Sequence, residues 1–202
     1  MQHFNEMAKV WETPEKISLY KEYAKKVQTK LSQKNHQNIL EIGCGTGLLG
    51  QHFINEKTLY LGLDTSSEML KVLKEKFPNF SQVHVLNLNL EEENLPQTYE
   101  SFDLVLSAMC FHHLRNPKNY LKKLKQNLSS KAEIVVIDLL QEDGSFHPDP
   151  KNMGVHHFGF SKEDLKSWGE GENLQLKEFE IIHQIEKNDK IYPIFMGIFN
   201  IF

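Results

Sequence analysis

The sequence predicts an α/β fold: a mostly parallel sheet covered by helices on both faces and closed by an antiparallel hairpin. Three observations carry this. Short, nearly continuous apolar runs alternate with stretches of helical periodicity, the pattern of strands buried on both faces. The apolar run that starts at Ile39 breaks into alternating glycines, Gly43, Gly45 and Gly47, the residue for tight turns, positive φ and close backbone approach to a ligand. Two long strand-like stretches close the chain, joined by Lys187-Asn-Asp-Lys190, which has the composition of a hairpin turn.

Taken in order, Thr13-Pro14 reads as a helix start, a capping hydroxyl followed by proline at the first helical position. Ile17, Tyr20, Ala24, Val27 and Leu31 then recur at helical spacing. Residues 38–43 are expected as a strand and 47–56 as a helix. Leu59–Asp64 is the second strand, and Ser66–Phe77 a helix that Pro78 helps to end. Val83–Leu88 and Phe102–Ser107 are the third and fourth strands. A helix from Pro117 to Leu128 carries Leu121, Leu124 and Leu128 on one face, and Ala132–Leu139 is a fifth strand. Ser161-Lys-Glu-Asp164 opens a further helix as a variant capping box. Leu174–Ile185 and Ile191–Ile201 form the closing hairpin. Residues 91–101 and 141–160 carry no regular pattern.

At 202 residues, 40% of them apolar and 25% charged, the chain is expected to form a single domain with one substantial core. It divides into an N-terminal helical arm (1–34), a cofactor-binding core (35–140), a covering segment (141–172) and the hairpin (173–202). A net charge of −4 gives no general reason to expect nucleic-acid binding. Lysines 118, 122, 123 and 125 read as the wet face of a helix. The two cysteines, Cys44 and Cys110, read as reduced thiols of a cytoplasmic protein. No apolar run approaches the roughly 20 residues that span a membrane. Oligomeric state is not legible.

The glycines alone leave the cofactor open, because Gly45, Gly47 and Gly50 also spell the Gly-x-Gly-x-x-Gly fingerprint of dinucleotide-binding proteins. Asp64 is the second anchor. It ends the second strand nineteen residues after Gly45, where an acid accepts both hydroxyls of a ribose; it equally suits an N-cap, a role that Thr65 or Ser66 can take instead. Register separates the two cofactors: in the dinucleotide fingerprint the first glycine follows the strand directly, whereas here Gly43 already ends it and Glu41 stands two residues before.

Glu41-x-Gly43-x-Gly45-x-Gly47, Asp64, Phe102-Asp103-Leu-Val-Leu-Ser107 and the final hairpin together resemble the class I S-adenosylmethionine-dependent methyltransferases, and Glu142-Asp143-Gly-Ser-Phe-His147 and Val155-His-His-Phe-Gly-Phe160 resemble segments of a bacterial subgroup acting on small molecules. The resemblance runs from about residue 35 to the end. It implies a Rossmann-like three-layer sandwich with seven strands, the last antiparallel, and S-adenosylmethionine across the carboxyl ends of strands one, two and four. Carried over, Glu41 and the loop Gly43-Cys44-Gly45-x-Gly47-Leu48 hold the methionine end, and Asp64 the ribose. Thr65 and Met69 lie near the adenine. Asn89-Leu90 stands where the family often has an acid facing the adenine amino group; an amide oxygen accepts the same bond. Ser107, Ala108 and Met109 face the methionine portion and the methyl group. Ser129-Ser-Lys131 replaces the family's usual Pro-Gly-Gly turn before strand five.

Ten histidines are unevenly placed. His112-His113 follows the fourth strand, and His147, His156 and His157 lie in the irregular segment. Histidine serves as a base near neutral pH, so His112, His113 and His156 are the candidate catalytic residues. The His147, His156 and His157 group contains metal-ligand types without a standard zinc spacing, and no metal is assigned. Phe4, Met7, Val10 and Trp11 form an apolar arm, with Trp11 expected to close the cofactor pocket. The expected function is methyl transfer to a small-molecule acceptor; the alternatives are an NAD-dependent oxidoreductase using Gly45, Gly47, Gly50 and Asp64, or a non-catalytic S-adenosylmethionine-binding subunit.

Overall fold

The computed structural model describes residues 2–33 and 35–202. Seven strands form one sheet: β1 (Asn38–Ile42), β2 (Leu59–Asp64), β3 (Val83–Asn87), β4 (Phe102–Ala108), β5 (Leu128–Leu139), β6 (Leu174–Lys187) and β7 (Lys190–Ile201). Their spatial order is β3-β2-β1-β4-β5-β7-β6. β1 through β5 pair in parallel, while β7 is antiparallel to both β5 and β6. The order reverses at β1 and β4, and a crevice outside their carboxyl ends is where open α/β sheets take ligands.

Helices α1 (Gln2–Met7), α2 (Pro14–Lys30), α3 (Ser67–Lys76), α4 (Pro117–Leu124) and α5 (Lys162–Gly169) complete the fold. Alternate strand residues feed two apolar layers. Ile39, Leu104, Leu106, Val135 and Ile137 pack with α2 and α3 through Tyr23, Val27, Leu70 and Leu73. Leu40, Ile42, Val105, Ile134 and Val136 pack with α4 and α5 through Leu121, Leu124, Leu165 and Trp168. The period-2 alternation of strands therefore builds the expected three layers. Thr13 caps α2 by accepting from the Lys16 N–H, and Ser161 and Asp164 form the reciprocal box that opens α5. The hairpin turns at Asn188 and Asp189, both at positive φ (52° and 57°), as a two-residue type I′ turn requires.

Three expectations are corrected. The helix over 47–56 does not form: turns lead into one 3₁₀ turn, Gly50–His52. Two glycines within four residues penalise a helix there. The segment Ser129–Lys131 is not a turn but part of β5, with the register against β4 slipping between Phe102 and Leu104. Ile17 is exposed although it lies on the predicted apolar stripe; α2 is buried only from Tyr23 onward.

Gly50 is fixed by close packing, because a Cβ there would overlap the Glu41 carboxylate and the Tyr60 ring. Gly50→Ala is expected to destabilise the fold by about 1–3 kcal/mol, the usual cost of overpacking, as a lowered urea midpoint. An unchanged midpoint would show that the contact relaxes freely.

Candidate active site

The glycine loop is built by backbone geometry that side chains rarely adopt. Gly43, Gly45 and Gly47 all have positive φ (61°, 51° and 78°). A Cβ on Gly43 would overlap Cys110, so this glycine lets the loop close against the end of β4. A Cβ on Gly45 would meet only Met69 Sδ, at 4.0 Å. The Gly45 N–H donates to Asp64 Oδ2 at 2.8 Å and the Ser66 N–H to Oδ1 at 2.8 Å. The Thr65 N–H also bonds to this carboxylate; with about four acceptor sites in all, Asp64, half-buried, keeps about one for a ligand, and burial raises its pKa. Capping of α3 falls to Ser66, whose hydroxyl accepts from the Met69 N–H.

The other positions divide sharply. Cys44 and Leu48 are buried in the core, so only their backbone lies in the loop; Cys44 and Cys110 are free thiols. Thr46, 1% exposed, has a hydroxyl without a hydrogen-bond partner among the described residues. Thr65 is exposed, and Met69 lies buried beneath Gly45. Asn89 Oδ1, expected to face an adenine, accepts the Glu91 N–H at 3.0 Å, and Leu90 is core. Lys123 is not a wet-face lysine, since its ammonium donates to the Leu90 carbonyl at 2.7 Å. The Ser107 hydroxyl donates to the Ile42 carbonyl at 3.0 Å and joins β1 to β4. Ala108 is also buried. Met109 turns the chain out of β4 at φ 55°, with its N–H on the Ile137 carbonyl at 2.8 Å. Asn87, which belongs to no motif, donates from its side-chain amide to the Asp64 carbonyl at 3.0 Å.

Glu41 does not face the loop's open side. It shares a strand face with Ile39, and its carboxylate accepts from the Tyr60 hydroxyl and the Gly50 N–H beneath the loop. Burial pushes its pKa up to about 7, against the opposing effect of those hydrogen bonds. The native state thus holds this proton more tightly than the unfolded chain, whose value is 4.5. The contribution to stability is therefore fullest below about pH 4.5, declines as pH rises towards 7, and is flat above that. Relative to Glu41→Gln, the wild type is expected to lose up to about 3 kcal/mol across that window. Parallel stability-versus-pH curves for the two proteins would contradict the assignment.

The imidazoles converge differently from the expectation. His112 Nδ1 lies 2.6 Å from Asp138 Oδ1, and its backbone N–H donates to Oδ2 at 3.2 Å. His113 Nδ1 lies 3.0 Å from the Gly154 carbonyl. Ring centres are 4.1 Å apart for His112–His113, 4.9 Å for His112–His147 and 5.9 Å for His113–His147. His156 is exposed; only its N–H joins the group, donating to the His112 carbonyl at 2.9 Å. The third ring is thus His147, not His156. Asp138 was legible as one of two acids in the apolar run of strand five, with Glu133, but it carried no motif.

The N-terminal arm lies across the same edge. Asn5 Oδ1 accepts from the Ser66 hydroxyl at 2.7 Å, and the Phe4 ring stands edge-on to both Trp11 (5.9 Å) and His113 (5.6 Å). The Lys16 ammonium sits 3.3 Å from the Trp11 ring centre. A 530 Å³ cavity lined by Gln28, His36, Gln37 and Asn55 opens instead beside the amino end of β1, away from Gly45, Asp64 and the imidazoles.

A sequence profile described as a methyltransferase domain matches residues 40–134, a span that holds the glycine loop, Asp64 and His112-His113. The chain carries a methyltransferase domain. This methyltransferase is 29% identical over 169 residues to an uncharacterized methyltransferase of Schizosaccharomyces pombe, covering 77% of this chain and 59% of that one. It is 28% identical over 172 residues to the tRNA U34 carboxymethyltransferase of Vibrio parahaemolyticus, covering 81% and 51%. The chain thus spans somewhat over half the length of these curated relatives. Its fold matches a crystal structure of a methyltransferase from Aquifex aeolicus with a TM-score of 0.72 at 21% identity, covering 98% of both chains.

S-adenosylmethionine is the cofactor of this methyltransferase. The residues fit it: Gly45 leaves the loop open, Asp64 keeps an acceptor site free, and the Thr46 hydroxyl is buried without a partner among the described residues. The helix on which a dinucleotide pyrophosphate rests is here a single 3₁₀ turn. Among the described residues no helix is long and apolar enough to cross a membrane.

Proposed function

We propose that this methyltransferase methylates a small neutral or anionic acceptor held between the glycine loop and the imidazole cluster. The reading rests on one observation: the open side of Gly45, the carboxylate of Asp64 and the rings of His112, His113 and His147 all lie at the carboxyl edge of β1, β2 and β4. The formal charge of −4 supports a small acceptor over a polyanion. The chain acts as one domain, with arm 1–34 and segment 141–172 covering core 35–140 and hairpin 173–202 completing the sheet.

Bound S-adenosylmethionine supplies an electrophilic methyl group on a sulfonium, a good leaving group. The chain's own work is therefore alignment and exclusion of water. Asp64 holds the ribose hydroxyls, and the Gly43–Gly47 backbone, with Thr46, holds the amino-acid end. Glu41 acts through the loop, propping it from below. Phe4 and Trp11 cover the edge. His112, oriented by Asp138, and His113, oriented by the Gly154 carbonyl, present Nε2 to the acceptor and draw off its proton where the attacking atom carries one.

The test is transfer of an isotopically labelled methyl group in parallel to a small-metabolite extract and to total tRNA. Label in the metabolite fraction alone is expected. Label in tRNA would overturn the small-molecule reading and favour a nucleobase acceptor, the reading that the similarity to a tRNA-modifying enzyme supports.

A further inference from the structure

We propose that His112, His113 and His147 bind one divalent transition-metal ion, zinc by preference, at the carboxyl end of β4. One nitrogen from each ring lies within 4.8 Å of one from each of the others. Three imidazoles on one tetrahedral ion, with metal–nitrogen bonds of about 2.0–2.1 Å, place their ring centres about 5 Å apart. The observed separations of 4.1, 4.9 and 5.9 Å bracket that value, so small ring rotations complete the site.

The surroundings are those of ligands. His112 Nδ1 is held by Asp138 and His113 Nδ1 by the Gly154 carbonyl, which leaves Nε2 of each ring for an ion. A carboxylate or carbonyl behind a ligating histidine fixes its tautomer and raises its basicity. Burial, together with the neighbouring imidazoles, holds His113 and His147 down at about 4, and the neutral ring is the form that binds a metal. Asp138 supplies a negative charge behind the site; Lys187, a cation that acts on His147, is committed to the Phe146 carbonyl at 2.6 Å. Nitrogen donors without a thiol favour zinc, copper, nickel or cobalt over magnesium or calcium.

Two ligands come from the turn after β4 and the third from the irregular 141–160 segment, so the ion ties the covering segment to the sheet. Among the described residues no fourth ligand joins them, which leaves a position open to water or to the acceptor, as in catalytic zinc sites. The use of that position rests on the proposed methyl transfer: with the ion bound, an acceptor thiol or hydroxyl coordinates it and releases to solvent the proton that the metal-free rings would otherwise take up. Ion binding itself does not depend on that reading.

The untagged chain, stripped with a chelator, is titrated with Zn²⁺ alone by calorimetry and with Co²⁺ alone by visible absorption. The proposal expects one ion per chain at micromolar affinity or tighter, and cobalt bands with four-coordinate intensity. His147→Gln and His113→Gln are each expected to weaken binding at least about 100-fold, and Asp138→Asn about 10–100-fold, with folding checked by circular dichroism. No binding, six-coordinate cobalt, or affinity untouched by His147→Gln would overturn it. S-adenosylhomocysteine binding by the same metal-free wild-type sample is measured separately. Its loss would count against the methyltransferase site, whereas its retention without metal binding would count against the metal site alone.

Discussion

Replacing Asp64 with alanine is expected to weaken S-adenosylhomocysteine binding about 100-fold or more. Charge-assisted hydrogen bonding to the ribose is lost, worth about 1.5–3 kcal/mol per bond. The Gly45 N–H at 2.8 Å and the Ser66 N–H at 2.8 Å lose their acceptor as well; the glycine loop keeps to β2 through the bond from the Cys44 N–H to the Leu63 carbonyl but loses its side-chain tie. Asp64→Asn keeps the shape and one oxygen, and its affinity is expected to fall between the two. Calorimetric titration decides it; a change below about threefold for Asp64→Ala would show that the ribose lies elsewhere. Because Asp64 keeps an acceptor site beyond its bonds to the Gly45, Thr65 and Ser66 N–H groups, the loop geometry is expected to persist when ligand is bound.

The second large effect is at Asp138. It is fully buried in β5 and accepts from the His112 ring, the His112 N–H and the Leu139 N–H. Alanine there strands an imidazole that is 1% exposed and two backbone donors. Removing one partner of such a buried pair costs about 3–5 kcal/mol, and unfolding by urea is expected to show a loss of that order. The Asp138→Asn variant keeps one acceptor oxygen but not the charge. It is expected to recover most of the stability while leaving methyl transfer impaired. Full activity in Asp138→Asn would separate His112 from the chemistry.

The sheet was legible because its strands obey the two-sided rule: Leu104-Val105-Leu106 and Ile134-Val135-Val136 feed opposite layers with nothing polar between them. Caps were legible because Thr13, Ser66 and Ser161 act locally, within three residues of the N–H they accept. The helix after Gly47 was not, since it depended on whether Gly50 served helix continuity or close contact with Glu41 and Tyr60, residues on neighbouring strands. The same limit governed the site. Gly45 and Asp64 announce themselves by spacing, but the direction of the Glu41 carboxylate is set by β2. His147 and His156 look alike in sequence; only the path of the 141–160 segment, tied by the His156 and His157 N–H groups to the His112 carbonyl, brings one ring inward and leaves the other in solvent. Asn87 and Asp138 became visible as partners only through strand register.

The placement of the methyl donor stands or falls on a crystal structure of the full chain with S-adenosylhomocysteine. Ribose oxygens are expected about 2.7–2.9 Å from Asp64, with the amino-acid end along Gly43–Gly47. The sulfur is expected between Met109 and the His112–His113–His147 cluster, under the arm that carries Phe4. A ligand bound with Asp64 unengaged, or seated in the cavity beside the amino end of β1, would contradict this placement.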